Sequence, residues 1–187
     1  MKVMQINQQV QRDACLARLC AEVYGQAAGL TPLVVFTGTR NVLLPQEAAR
    51  LLAAVDKDGV PQALALLVLD EQGEGMTLTH ACDLNASQAK AWLVSELTLK
   101  APLRVEVDDA EQEAFYQRCS IKRWFDGDNG KRIGLSARHP AQTADDLAET
   151  LAIDEALILR RFKHDPAAFE DAKQRFVDGL AQFPEVL

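Results

Sequence analysis

The 187-residue sequence has few aromatic residues, no excess of basic charge, no long apolar run and no cysteine pair at Cys-x-x-Cys spacing. Each absence excludes something. No stretch approaches the ~20 consecutive apolar residues that cross a bilayer. The opening MKVMQINQQVQRD lacks the apolar centre of a secretory signal. No membrane is therefore expected as a partner, and the cytoplasm is the expected location. Twenty Lys and Arg face 27 Asp and Glu, a formal charge of -7. That balance argues against nucleic acid, whose phosphates need clustered cations. The short basic pairs Lys122-Arg123, Lys131-Arg132 and Arg160-Arg161 read as solvated faces. Cys15, Cys20, Cys82 and Cys119 fit no zinc-ligand spacing. Reduced thiols, no disulfide and no metal are expected. His80 and Cys82 would share one face of a strand, where two such residues are more often core than ligands.

What is present reads as a globular domain. Hydrophobic residues make up 48% and charged residues 25%, enough to bury a substantial core. A short strand over MKVMQIN precedes a helix over 9–26, with Leu16, Leu19, Cys20 and Val23 on one face. LVVFTG reads as a strand or buried loop, and LPQEAARL (44–51) as a short helix with Pro45 in its first turn. Three apolar runs, LLAAV, ALALLVL and MTLTHAC, are separated by Asp56-Lys57-Asp58-Gly59 and by the polar run 70–75. Such punctuation predicts an antiparallel meander. A helix over 87–99, a strand LRVEV, a helix over 109–119 and strands IKRWF and RIGLSAR follow. After Pro140 two helices are predicted, 145–162 and 166–183. Phe169, Phe176, Leu180 and Phe183 line one face of the second. That helical hairpin must bury its apolar face on its own domain or on a second copy, as a homodimer.

This order of elements resembles the GNAT superfamily of acyl-CoA N-acyltransferases. The stretch VEVDDAEQEAFYQRCSIKRW carries much of the likeness. Val105 and Val107 match the family strand, Asp109 the polar residue after it, Phe115-Tyr116 the aromatic pair of the helix, and Ser120-Ile121 the strand entry. The meander AAVDKDGVPQALALLVLDEQGEGMTLTHACDL is similar to the family's second to fourth strands. The resemblance implies an α/β fold, a mixed and mostly antiparallel sheet flanked by helices. It divides the chain into a GNAT-like domain, 1–139, and a C-terminal helical extension, 140–187.

It also implies a chemistry. Tyr116 would be the general acid that protonates the departing CoA thiolate, a task suited to a phenol of pKa near ~10. His80 or Glu106 would help deprotonate the amine substrate. The alternative for Phe115-Tyr116 is packing of helix onto sheet, and for His80 a hydrogen-bonded role within the strand. Acetyl-CoA would rest its pyrophosphate on the loop Ala86-Ser87-Gln88-Ala89-Lys90-Ala91, which stands at the positions of the family's Gln/Arg-x-x-Gly-x-Gly/Ala. Here Ala86 replaces the leading Gln or Arg and Ala89 the first glycine, and alanine is expected not to take up the positive φ that glycine permits. Two functions follow from the resemblance. One is an N-acetyltransferase acting on an amine. The other is a catalytically silent GNAT-fold module for protein association or ligand sensing. Cys119 has no His and Asp beside it in sequence and is expected in the core, and Ser120 lies in no hydrolase elbow.

Overall fold

The computed structural model describes residues 1–187. Its centre is one seven-stranded sheet in the order β1-β2-β3-β4-β5-β7-β6. Strand β1 (Lys2–Gln5) pairs antiparallel with β2 (Ala49–Val55), which continues into the meander β3 (Pro61–Leu69) and β4 (Met76–Asp83). Aspartates make the two tight turns. Asp56 Oδ1 accepts from the Asp58 and Val60 amides at 2.9 and 3.0 Å. Asp70 accepts from the Gln72, Glu74 and Gly75 amides, replacing bonds that the reversing backbone cannot make with itself. Strand β5 (Leu103–Val107) is the one parallel step, and β7 (Arg132–Leu135) and β6 (Arg123–Asp126) complete the sheet antiparallel. The fold is therefore α/β, with a mixed and mostly antiparallel sheet flanked by helices.

The pleat divides the core in two. Leu64, Leu66 and Val68 face α1 (Gln9–Tyr24), α2 (Thr31–Gly38), α5 (Glu155–His164) and α6 (Pro166–Ala181). Ala63, Ala65 and Leu67 face α3 (Ala89–Lys100), with α4 (Ala110–Arg118) on the same side. Two irregularities shape the sheet around the site. Leu66 pairs with His80 while Leu67 pairs with Leu78, so Thr79 is the extra residue of a β-bulge. In addition, β5 pairs with β4 only at Met76–Leu103 and Thr77–Arg104, and the rest of that β4 edge has no strand partner.

Three expected elements differ. LVVFTG is neither strand nor loop but lies in α2, with Leu33 to Phe36 all buried. Thr31-Pro32 opens that helix, and burial on several sides removes the amphipathic signature by which a helix is read. Residues 44–51 are not helical. A single π-turn over Thr39–Leu43 extends α2, Glu47 then takes a positive φ of 56°, and Ala49 already pairs with Val68. The helix expected at 145 begins only at Glu155. Residues 147–154 instead form an extended strap, after one 3-10 turn over Ala144–Asp146. Leu151 donates to Leu69 O at 2.9 Å, and Glu71 donates to Glu149 O at 2.8 Å. Thr150 and Thr77 share a hydroxyl contact of 2.6 Å. These long-range bonds outcompete local helix formation.

The C-terminal pair α5–α6 buries its aromatic face on the chain's own core. Phe169, Phe176, Leu180 and Phe183 pack against the first cluster, and Phe176 meets Phe36 edge-on at 5.3 Å.

Candidate functional site: an acidic cleft

A cleft of about 1200 Å³ opens on the α1–α2 side of the sheet, where β4 and β5 separate. Leu66, Val68, Thr77, Thr79 and His80 form its floor together with Arg104 and Glu106 of β5. Tyr24 closes one end, Val35, Thr39 and Leu43 form a wall, and the strap 147–154 forms another. His80 and Glu106 therefore meet in one cavity. Tyr116 does not line it.

The bulge at Thr79 turns two consecutive polar side chains toward the cleft. His80 Nδ1 lies 2.8 Å from Thr79 Oγ1, and His80 Nε2 lies 2.7 Å from Tyr24 Oη. Thr79 donates its own proton to Leu66 O at 3.4 Å. One proton assignment satisfies all three contacts: Nδ1–H donates to Thr79, and the Tyr24 hydroxyl donates to the bare Nε2. Burial pushes the His80 imidazole down to about 4, so it is neutral at pH 7. Burial, together with Cys20 and Glu155, raises the Tyr24 phenol above its ordinary value, so it stays protonated. With its hydrogen committed to His80, the Tyr24 oxygen keeps lone pairs free to accept.

Around this chain the cleft is acidic. Glu106 is held by Arg104 at 2.7 Å, and the same guanidinium donates to Ala148 O at 2.8 Å, tying the strap to β5. Asp126 is held by Arg132 at 2.9 Å. Asp128, Asp145, Glu149, Asp154 and Glu155 also line the cleft and form no ion pair, whereas Lys131 is the one unpaired cation there. The lining thus presents a surplus of unneutralised carboxylates to whatever enters.

Tyr116 lies with α4 against the cluster that contains Leu67 and Leu78, on the other side of the sheet from the His80 ring. It stacks edge-on with Phe115 at 5.1 Å, and burial raises its pKa. Cys119 beside it is buried, with Sγ 3.7 Å from Ala91 O. All four cysteines are free and buried, and burial raises Cys15, Cys20 and Cys82 to about 12, far from a reactive thiolate.

Residues 86–91 lie at the start of α3, where a pyrophosphate would need backbone donors. The Lys90 amide instead donates to Asp83 Oδ1 at 2.7 Å, and the Ala89 amide to Ser87 Oγ at 3.3 Å. Ser87 itself donates to Gln62 O at 2.5 Å. The Lys90 ammonium sits 4.8 Å over the Phe115 ring. Ala89 starts the helix, and the left-handed conformation falls on Asn85, Ala86 and Gln88, with φ of 54°, 55° and 56°. Alanine does adopt the positive φ here, at a strain of roughly 1 kcal/mol. A pyrophosphate does not fit this loop as it stands: the chain's own carboxylate already accepts from the helix start and would repel a second anion.

No family model and no curated protein matches this sequence. Among solved structures the chain is similar to a chimeric spermidine N-acetyltransferase from Vibrio cholerae, at TM-score 0.49 and 12% identity over 74% of this chain and 96% of that one. It is similar also to the Vibrio cholerae spermidine N-acetyltransferase in complex with CoA and spermine, at TM-score 0.46 and 11% identity over 74% and 96%. A GNAT-family acetyltransferase structure from Desulfovibrio desulfuricans stands at TM-score 0.43 and 18% identity over 72% and 96%. Two of these structures are thus of spermidine N-acetyltransferases, and the third is of the GNAT family. At such distance the likeness adds no weight to the topology and side chains above.

Proposed function

We propose that this protein binds a cationic amine in the acidic cleft, as a GNAT-fold ligand-binding module that works without acyl-CoA. The observation that carries this reading is the Thr79–His80–Tyr24 chain set among unpaired carboxylates. An ammonium group has donors and no acceptors. Tyr24 offers it an acceptor oxygen, and Glu149, Asp154 and Glu155 supply the opposite charge around it. The strap and Lys131 would set how long a ligand the cleft admits.

Magnitudes favour holding the amine over reacting it. An alkylammonium has a pKa near ~10.4, whereas burial holds His80 at about 4. Passing the ligand's proton through Tyr24 to His80 would cross roughly six units, on the order of 8 kcal/mol. The cleft suits a charged guest.

Transfer of an acyl group to that amine is the second reading. The divergence of β4 and β5 favours it, because an unpaired strand edge offers donors and acceptors to the amides of an acyl carrier.

Calorimetric titration separates the two, with spermidine as the probe amine and CoA and acetyl-CoA as probe carriers. Expected are saturable spermidine binding that weakens as salt screens the carboxylates, and no CoA binding at millimolar concentration. Asp83→Asn, which removes the competing charge, is expected to gain CoA affinity. Absence of spermidine binding at low salt would overturn the amine site. Micromolar acetyl-CoA binding with acetyl-spermidine formation would establish transfer instead.

A further inference from the structure

Behind the wall of the acidic cleft lies a second pocket of about 250 Å³, between α2, its π-turn, α5 and α6. Its charge is opposite. Arg40, Arg161 and Arg175 line it against the single acid Asp171, in a chain whose net charge is -7. Two of the three guanidiniums make one ion pair each and keep donors free, and the third makes none. Arg40 uses Nε for Asp13 and Nη1 for Asn41, both at 3.0 Å, leaving Nη2. Arg175 uses only Nε, at 3.0 Å from Asp171. Arg161 has no ion-pair partner. Two carboxylates, Asp13 and Asp171, answer three guanidiniums, so the empty pocket keeps a net positive charge that an anion would neutralise. Thr37 Oγ1, in the same lining, is buried with no hydrogen-bond partner.

The remaining lining restricts the anion. Half of the 14 lining residues are hydrophobic, among them Ile158 and Phe162. A bare phosphate would leave that surface facing water. A carboxylate on a short alkyl chain satisfies both halves, with its head on the guanidiniums and its tail between α5 and α6. The volume suits a chain of medium length rather than a long one. From these features we infer that this pocket is a binding site for a medium-chain carboxylate, separate from the amine cleft and independent of whether that cleft binds amines.

The test is calorimetric titration of the full chain with hexanoate, octanoate, the uncharged octanol and inorganic phosphate. Octanoate is expected to bind at one site, with affinity rising roughly two- to fourfold per methylene from hexanoate as apolar surface is buried. Octanol and phosphate are expected to bind at least tenfold more weakly. The double variant Arg161→Gln, Arg175→Gln is expected to lose octanoate affinity at least tenfold while keeping its circular dichroism and urea midpoint. Both side chains lie at the protein surface, so the fold does not depend on them. Affinity independent of chain length, phosphate binding as tight as octanoate, or an unaffected double variant would each overturn the assignment.

Discussion

Half-buried and neutral beside the bulge, His80 couples folding to pH. An unfolded imidazole titrates near ~6.5, whereas the folded one is held at about 4. Between those values the unfolded chain binds the extra proton, so stability present above the unfolded pKa is lost as pH falls toward the folded one. The variant His80→Asn should therefore show a flatter dependence of urea midpoint on pH across that window. His139, lowered by burial and by Arg123, supplies part of the slope that remains. An unchanged slope in the variant would show that His80 titrates normally in the folded protein. How far such a site can be read from sequence is plain at this scale. His80 stands out because strand histidines are rare in this chain. Its partner Tyr24 does not, since 56 positions separate them and the contact joins a helix end to a bulge. No local spacing records such a pair.

Elements were legible where the local pattern and the tertiary environment agree. The meander follows from its apolar runs and its aspartate turns, and α1, α3, β5 and α4 lie within two residues of their expected bounds. The strap 147–154 was not legible. Thr143 and Asp146 form a true capping box, the signal for a helix start, yet the box serves a single 3-10 turn. Leu151 and Ile153 pack against the core, and the backbone of 149–151 runs antiparallel to 69–71 at the end of β3. One close approach fixes the strap on α2. A Cβ built at Gly38 would lie 2.7 Å from Ile153 side-chain atoms. Gly38→Ala is expected to cost about 1–3 kcal/mol by overpacking and to speed amide exchange at Leu151. Unaltered exchange there would mean that Ile153 simply rotates away.

At the scale of the whole molecule, the sheet separates two apolar layers, and the larger is closed by the C-terminal helices. Phe176 joins α6 to Phe36 of α2 in that layer. Phe176→Ala is expected to cost about 3 kcal/mol, read as a lower urea midpoint at unchanged slope. A loss below about 0.5 kcal/mol would mean that α6 packs without needing that ring, since such small effects are typical of surface substitutions. The sequence pattern showed that this face must be covered and left open by what. The answer, the chain's own α1 and α2, has a consequence during synthesis. Helix α1 ends at Tyr24, and its neighbour α6 starts only at Pro166. At roughly 5–20 residues per second, the ribosome leaves α1 uncovered for on the order of ten seconds or more. During that interval the α1 face around Ala17, which Gly179 of α6 comes to cover, is open to other nascent chains and to chaperones, so the yield of native protein rests on a contact that waits until α6 has been made.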